Sequence, residues 1–348
     1  MKTLGQHLMT LCKATKLPSA VLSVVLIGGS LMTATPASAD LTVYTDRPTA
    51  RLQPIADEFT KATGAKVVIV EQAYPKILAQ LKTEGATSPA DVLFVKDLVY
   101  LAELSNLGWF QPMVSTLAEQ SVASQMRDPK LLWTAITIRG RTIVYDSTRV
   151  AASELKGYED LATAKWAGRL CLRTSQSAYN EALVAGLIET HGAVKAAAIV
   201  DGWVRNLATD PISGDTGVLE AIASGVCDVG IVNTYYLGQM VAKQPAFPVK
   251  AFFADALSTG VFGNGTGAGV AATSKQKELA TRFIELLLSD KNQLEMSAAN
   301  FDYPAKMGLL PTTLVKDWGV FKYNESNWTV VGSRAGEARD LMKAVQYK

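Results

Sequence analysis

Histidine and cysteine are scarce in this chain of 348 residues, which holds two histidines and three cysteines. One of each, His7 and Cys12, lies in the N-terminal segment 1–39. His191 is then the only histidine of the remainder, and it occupies a segment with the pattern of an exposed helix C-terminus. A histidine-based zinc site or a Ser-His-Asp triad is therefore not expected, and a metal site would need oxygen ligands.

The chain also lacks long apolar runs and an excess of charge. After position 39 no stretch approaches the roughly 18 apolar residues that a membrane-spanning helix needs. The 34 basic side chains face 32 acidic ones, and three of the lysines lie in the segment 1–39, which leaves 31 against 32. This balance argues against a nucleic-acid partner. No Walker motif and no Gly-x-Ser-x-Gly motif occurs, so we expect no enzyme of those classes.

The segment 1–39 has the pattern of a secretory signal peptide. Lysines precede an apolar segment at 20–32, and small residues at 37–39 form a cleavage site before Asp40. No cysteine stands at the cleavage point, so a lipid anchor and stable membrane insertion are not expected. Cleavage leaves positions 40–348, and we expect this mature chain to diffuse in the periplasm as a monomer.

The two cysteines that remain after processing, Cys171 and Cys227, are predicted to form a disulfide. Each lies beside an apolar run with the pattern of a strand, and the compartment is oxidising. Closing a loop of this length stabilises a fold by roughly 4 kcal/mol in the chain-entropy model. The alternative is a pair of buried free thiols.

Alternating strand and helix patterns predict an α/β fold. Strands at 41–45, 66–70 and 92–95 are separated by helical patterns, and a second such run extends from 170 to 232. This alternation predicts mostly parallel sheets with helices on both faces, which bind ligands beyond the carboxyl ends of their strands. Because the mature chain, positions 40–348, is longer than one core usually spans, we expect two lobes.

Two strands are predicted to cross between the lobes. The segment 133–145 is rich in β-branched residues, and 268–272 is expected to return the chain to the first lobe. Paired crossing strands form a hinge on which two lobes close. We therefore divide the mature chain into a first lobe and a second lobe. The first lobe comprises 40–137 and about 264–300, and the second comprises 138–263 and about 301–348.

Two adjacent tyrosines, Tyr235 and Tyr236, lie on a predicted strand-to-helix turn. The apolar run 229–232 precedes them, and a helical pattern follows. In the first turn of a helix neighbouring side chains diverge by about 100°, so two phenols can face one site. The helix dipole there favours anions, including phenolates. The alternative is that one tyrosine packs in the core while the other caps a cleft wall.

Polar residues elsewhere also suit a ligand. Arg139, Arg141 and Tyr145 occupy odd positions of the long predicted strand and would share one face if it is regular. The alternative is a solvated basic edge with one packed aromatic. The turn 173–177, which includes Ser175, has hydroxyls and a helix N-terminus suited to an oxyanion, although helix capping explains the same residues.

Several motifs resemble those of the periplasmic ferric-ion-binding proteins. They are YEDL at 158–161, KWAGR at 165–169, CLRTS at 171–175 and NTYYLG at 233–238. The resemblance extends over nearly the whole mature chain and is strongest in the second lobe. It implies the type II periplasmic binding protein fold, with two crossover hinge strands, and a solute-binding protein that delivers Fe(III) to an ABC transporter permease.

The resemblance also implies the ligands of Fe(III). Tyr235 and Tyr236 match the tyrosine pair of the family, and Tyr145 is matched to a third tyrosine. Two departures are visible: Arg47 is followed by Pro48-Thr49 where relatives often carry His-Tyr, and the acidic ligand of some members falls at Lys96. Half of a six-coordinate iron would then be left open.

Members of the family that use a synergistic anion suggest how the coordination is completed. Carbonate or another small oxyanion would be held by four residues, with Tyr74 as an alternative protein ligand. These four are Arg47, Lys96, Arg141 and Ser175. Two other functions stay open: a protein of the same fold that binds an organic anion or an iron chelate, and, from a different class, a secreted hydrolase.

Overall fold

A computed structural model describes residues 40–311, 314–319 and 321–348. The predicted signal peptide and its cleavage site lie outside these residues, apart from Asp40. Within the described part of the chain, no helix is both long and apolar enough to cross a membrane.

Strands and helices alternate through most of the described chain. The strands are β1 (Leu41–Thr45), β2 (Val67–Glu71), β3 (Val92–Val95), β4 (Phe110–Gln111), β5 (Thr134–Asp146), β6 (Leu170–Cys171), β7 (Val229–Asn233), β8 (Val249–Phe252), β9 (Gly263–Ala271) and β10 (Tyr303–Pro304). The helices are α1 (Thr49–Thr63), α2 (Tyr74–Glu84), α3 (Leu98–Asn106), α4 (Thr116–Ser121), α5 (Ala178–His191), α6 (Ala193–Arg205), α7 (Asp215–Ala223), α8 (Thr234–Lys243), α9 (Lys277–Leu287), α10 (Asp290–Asn300), α11 (Leu314–Asp317), α12 (Trp328–Ser333) and α13 (Ala335–Ala344).

Helix α1 shows how local sequence determines these elements. Its buried side chains include Leu52, Ile55 and Phe59, which recur at the spacing of one helical face. Gly64 ends the helix in the left-handed region, with φ 79°, where a glycine has no Cβ to clash. This face packs against the sheet, so burial of apolar surface stabilises the helix more than its intrinsic propensity does.

The strands form a mixed sheet in the order β2-β1-β3-β9-β5-β7-β6. At one end β1 pairs in parallel with β2 and β3, and at the other β6 pairs in parallel with β7. Strands β9 and β5 lie between these two parallel groups. The pairs β3–β9, β9–β5 and β5–β7 are all antiparallel. The predicted fold class, two-lobed α/β with crossing strands, is confirmed.

Strand β5 belongs to both groups of strands. Its first half pairs with β9, and its second half pairs with β7 and β8. All thirteen of its residues are buried, because it has neighbours on both edges and helices above and below. It therefore places residues from its middle, such as Arg139 and Arg141, between the two groups.

Strand β9 begins earlier than the sequence suggests. The sequence pattern predicts an irregular glycine-rich passage with a strand only from Ala268, yet the strand starts at Gly263. The reason is close packing against β5: a Cβ on Gly265 would lie 2.3 Å from the carbonyl oxygen of Thr137. Glycine here is required by the approach of two crossing strands.

The structure confirms the disulfide between Cys171 and Cys227. Cys171 ends β6, Cys227 precedes β7, and their Cα atoms lie 5.9 Å apart, a normal separation for a disulfide. We expect titration of the denatured, unreduced protein to detect no free thiol. Two thiols per mature chain would contradict the pairing, and a sample reduced before titration provides the positive control.

Candidate metal centre

The tyrosine pair occupies the first turn of α8, directly after β7. Asn233 ends β7, and its backbone N–H donates to Asp215 Oδ2 at 2.9 Å, which fixes the turn. The rings of Tyr235 and Tyr236 lie with centroids 4.3 Å apart at an interplanar angle of 31°. The two phenols therefore lie side by side at a helix N-terminus, as the sequence predicts.

A third tyrosine, Tyr179, joins this pair. It lies in the first turn of α5, and its hydroxyl oxygen is 3.2 Å from that of Tyr235. The N-termini of α5 and α8 thus bring three phenols together. Sequence reasoning missed Tyr179, although it closely follows the 173–177 turn that is predicted to suit an oxyanion. Its place in the first turn of a helix was the available signal, the same one that identified the pair.

The structure does not place Tyr145 in this cluster. Antiparallel pairing sets Tyr145 opposite Val229, the first residue of β7, whereas Tyr235 follows Asn233, the last. Four residues of strand separate these positions, about 13 Å. Tyr145 lies too far along the strand to reach the cluster and packs in the apolar core. Tyr179 takes its place in the cluster.

Three arginines lie against the phenols. The guanidinium carbon of Arg139 is 5.5 Å from the ring centroid of Tyr179 and 5.9 Å from that of Tyr235. The guanidinium carbons of Arg173 and Arg141 are 5.3 Å and 5.9 Å from the Tyr179 centroid. Cations at these distances favour the ionised form of a phenol. Of these three, Arg141 was among the predicted anion-binding residues, and Arg173 begins the 173–177 turn that the sequence predicts to suit an oxyanion.

Arg141 serves as a buried support of the site. It is 1% exposed, and it donates to Asp215 Oδ2 at 2.5 Å and to Asn180 Oδ1 at 2.7 Å. These partners bind two of its three guanidinium nitrogens, so Arg141 has a structural role that the sequence did not suggest. It instead ties α5 and α7 together beneath Tyr179.

The other three predicted anion-binding residues separate. Arg47 lies near Tyr235 and Arg139, and burial lowers its pKa while the charge of Asp302 raises it. Lys96 forms an ion pair with Asp46 at 3.6 Å. The N–H of Ser175 donates to the backbone oxygen of Lys348 at 2.8 Å. The charge of Tyr235 also acts on Arg47, which links this arginine to the tyrosine cluster.

Tyr74, the alternative protein ligand, is occupied elsewhere. Its ring stacks on Tyr100 with centroids 3.8 Å apart, and its hydroxyl donates to Glu103 Oε2 at 2.7 Å. The side chain is buried in the first lobe. Coordination by Tyr74 would require the loss of both contacts.

The electrostatic surroundings favour anions. Burial, followed by the charge of Tyr179, raises the pKa of Tyr235 well above its usual value, so this phenol is protonated at neutral pH when no cation is bound. Three guanidiniums, those of Arg139, Arg141 and Arg173, lie within 6 Å of ring centroids of the cluster and pair with two buried carboxylates, Asp97 and Asp215, which leaves a positive surplus.

A histidine, cysteine or carboxylate metal site is not present among the described residues, where no group of three or more such side chains could hold a metal ion. Within the described chain, the phenol cluster is therefore our candidate for a metal site made of hard oxygen donors. Three phenolates would supply three negative charges, a match for a trivalent cation.

The chain is similar to proteins of known function. Residues 54–322 match the family model of bacterial extracellular solute-binding proteins. Iron uptake protein A1 of Synechocystis is 34% identical over 315 residues, which cover 89% of this chain and 88% of the relative. The chain belongs to the periplasmic ferric-iron-binding protein family. The predicted family is thus confirmed, and with it a solute-binding protein of the ABC transport class.

Solved structures of ferric-binding proteins share the fold. A Trichodesmium protein in complex with iron and citrate ligands superimposes with a TM-score of 0.85 at 35% identity, covering 89% of this chain and all of that one. The ferric binding protein of Campylobacter jejuni gives a TM-score of 0.79 at 29% identity, with the same coverage. For this ferric-binding family member, the type II periplasmic binding protein fold is therefore shown.

Proposed function

We propose that the protein captures Fe(III) through the phenolates of Tyr179, Tyr235 and Tyr236 and delivers it from the periplasm to an ABC transporter permease. The convergence of three phenols at two helix N-termini carries this proposal, together with the arginines against them. Membership in the ferric-iron-binding family supports the choice of cargo.

Each part of the cluster has a role in this proposal. Hard phenolate oxygens suit a hard trivalent cation, and metal coordination offsets the cost of deprotonating a phenol. The raised pKa of Tyr235 means that iron must displace a proton, so acid should favour release. Arg139 and Arg173 stabilise the phenolates and thereby reduce the cost of that step.

The remaining coordination positions would be filled by a small oxyanion such as carbonate. Three phenolates neutralise Fe(III), so the positive surplus around the cluster persists and favours an anion. Arg47, Arg139 and Arg173 are placed to hold it. This set retains Arg47 from the sequence-based proposal and adds Arg139 and Arg173. It leaves out Lys96, which pairs with Asp46, Ser175, whose N–H donates to Lys348, and Arg141, which we assign to the support of α5 and α7.

A second candidate is capture of an iron chelate. The same positive surplus would suit a polycarboxylate that carries the metal, and the similar Trichodesmium protein was solved with iron and citrate ligands. In that case iron supplied with citrate would bind more tightly than iron supplied with carbonate. Mass spectrometry of the intact complex under native conditions would identify the anion that remains bound.

An iron titration tests the anion-completed site. In carbonate-free buffer with few other anions we expect weak iron binding, and added bicarbonate should strengthen it because the anion completes the coordination shell. The absorption band of phenolate-to-iron charge transfer reports occupancy. Equal affinity with and without bicarbonate would contradict the anion and indicate a further protein ligand. Chloride at matched ionic strength is the control.

The proposal includes closure about β5 and β9. The two crossing strands carry Arg139 and Asn264, and both donate to Asp97 beyond the end of β3, at 3.0 to 3.1 Å. Because two paired crossing strands form a hinge, small-angle scattering should show a smaller radius of gyration with saturating Fe(III) than without it. An unchanged profile would contradict closure, and Ga(III), a trivalent ion without redox chemistry, provides a control for the charge.

A further inference from the structure

Tyr347 lies outside the phenol cluster but is linked to it by hydrogen bonds. It follows α13, and its side chain is only 4% exposed. Its hydroxyl accepts from Asn180 Nδ2 at 2.8 Å and donates to the backbone oxygen of Arg173. One hydroxyl therefore connects the end of the described chain to the 173–177 turn and to the first turn of α5.

Both partners of Tyr347 support the phenols. Asn180 is the neighbour of Tyr179 in α5, and its other amide atom, Oδ1, accepts from Arg141. The Arg173 guanidinium lies 5.3 Å from the ring centroid of Tyr179. Asn180 Nδ2 also donates to the backbone oxygens of Arg173 and Thr174, at 2.8 and 3.1 Å. The Tyr347 hydroxyl thus completes a network that holds the Arg173 backbone against α5.

The contacts continue beneath the cluster. Arg141 reaches Asp215, and Asp215 in turn accepts from the backbone N–H of Asn233, at the turn that carries Tyr235 and Tyr236. A single buried network of hydrogen bonds therefore runs from Tyr347 to both helix N-termini of the site. Such networks fix geometry because each buried polar group loses its partner if another moves.

We propose that Tyr347 is a positioning residue of the iron site, acting through Arg173 and Asn180 and without contact with the metal. This inference rests on the proposed function. The Tyr347 hydroxyl donates its proton to the Arg173 backbone, and burial favours the protonated form by raising the pKa of this phenol. Arg173 is held where its guanidinium stabilises the Tyr179 phenolate.

The test compares Tyr347→Phe with Tyr303→Phe. Tyr303 is also a buried tyrosine, but its hydroxyl has no hydrogen-bond partner among the described residues, so its removal leaves no network incomplete. For Tyr347→Phe we expect roughly three- to tenfold weaker iron retention against a competing chelator, the effect of one buried hydrogen bond. Tyr303→Phe should retain iron as the unmodified protein does.

Two further readouts separate positioning from stability. If Arg173 shifts, the Tyr179 phenolate loses a stabilising cation, so iron should be released at a higher pH and the charge-transfer band should move to longer wavelength. A purely structural role would lower the melting temperature and leave both values unchanged in the folded variant. That result would overturn the inference.

The same experiment separates this inference from the proposed function. Absence of the charge-transfer band in the unmodified protein with Fe(III) would overturn the proposed function and the inference together. A band in the unmodified protein that keeps its wavelength, release pH and retention in Tyr347→Phe would overturn the inference alone. Changes in all three, with Tyr303→Phe unaffected, would support it.

Discussion

Replacing Tyr235 with phenylalanine is expected to abolish tight Fe(III) binding. Tyr235 is the central phenol of the cluster, since its hydroxyl lies 3.2 Å from that of Tyr179 and its ring lies 4.3 Å from that of Tyr236. The change removes one charged oxygen donor, which water replaces poorly. Iron titration followed by the charge-transfer band should show no saturation at metal concentrations that saturate the unmodified protein.

Two matched variants make this prediction specific. Tyr179→Phe should also abolish tight binding, whereas Tyr145→Phe should leave it intact. Tyr145 packs in the core, opposite the first residue of β7 and so away from the tyrosines that follow its last residue. The opposite pattern, with binding lost in Tyr145→Phe and kept in Tyr179→Phe, would restore the ligand set suggested by the sequence. Melting curves would confirm that each variant is folded.

Replacing Asp215 with alanine is expected to destabilise the protein by about 3–5 kcal/mol, the usual cost of breaking a buried ion pair. Asp215 is fully buried, and it accepts from the Arg141 guanidinium and from the N–H of Asn233. Without it, Arg141 keeps a buried charge with no counter-ion. Urea unfolding monitored by circular dichroism measures the loss.

An exposed ion pair provides the control for this substitution. Asp201 pairs with Arg205 one turn along α6, and both side chains are largely in solvent. Asp201→Ala should therefore change the free energy of unfolding by less than about 1 kcal/mol. A loss of similar size at both positions, or no loss at Asp215, would contradict a structural role for the buried pair.

The features that follow from local sequence were predictable. The alternation of strands and helices, the long crossing strand and the tyrosine pair at a strand-to-helix turn each depend on short stretches of consecutive residues. The disulfide followed from the scarcity of cysteine in an exported chain. In all these cases the pattern of neighbours decides the structure, so no knowledge of distant contacts was needed.

The features that failed depend on distant partners. Whether Tyr145 reaches the cluster depends on its register with β7, which lies far along the chain. Arg141 was expected to hold an anion because local sequence does not show its pairing with Asp215. That partner lies 74 residues further along the chain. Tyr179 was missed for the same reason: only the packing of α5 beside α8 shows that its hydroxyl meets that of Tyr235. Periodicity contains none of this information.

The position of β9 has a consequence for the order in which the protein forms. Val92 on β3 pairs with Val270 on β9, so the pairing that connects the group of β1, β2 and β3 to the rest of the sheet joins residues that are far apart in the chain. The strands of the second group pair with β5 over shorter distances, for example Thr142 with Val232. During synthesis from the N-terminus, the partners of the second group are therefore available first. The edge of β3 stays unpaired until β9 has been made. The first group of strands, which is synthesised first, is therefore completed last, when β9 pairs with β3.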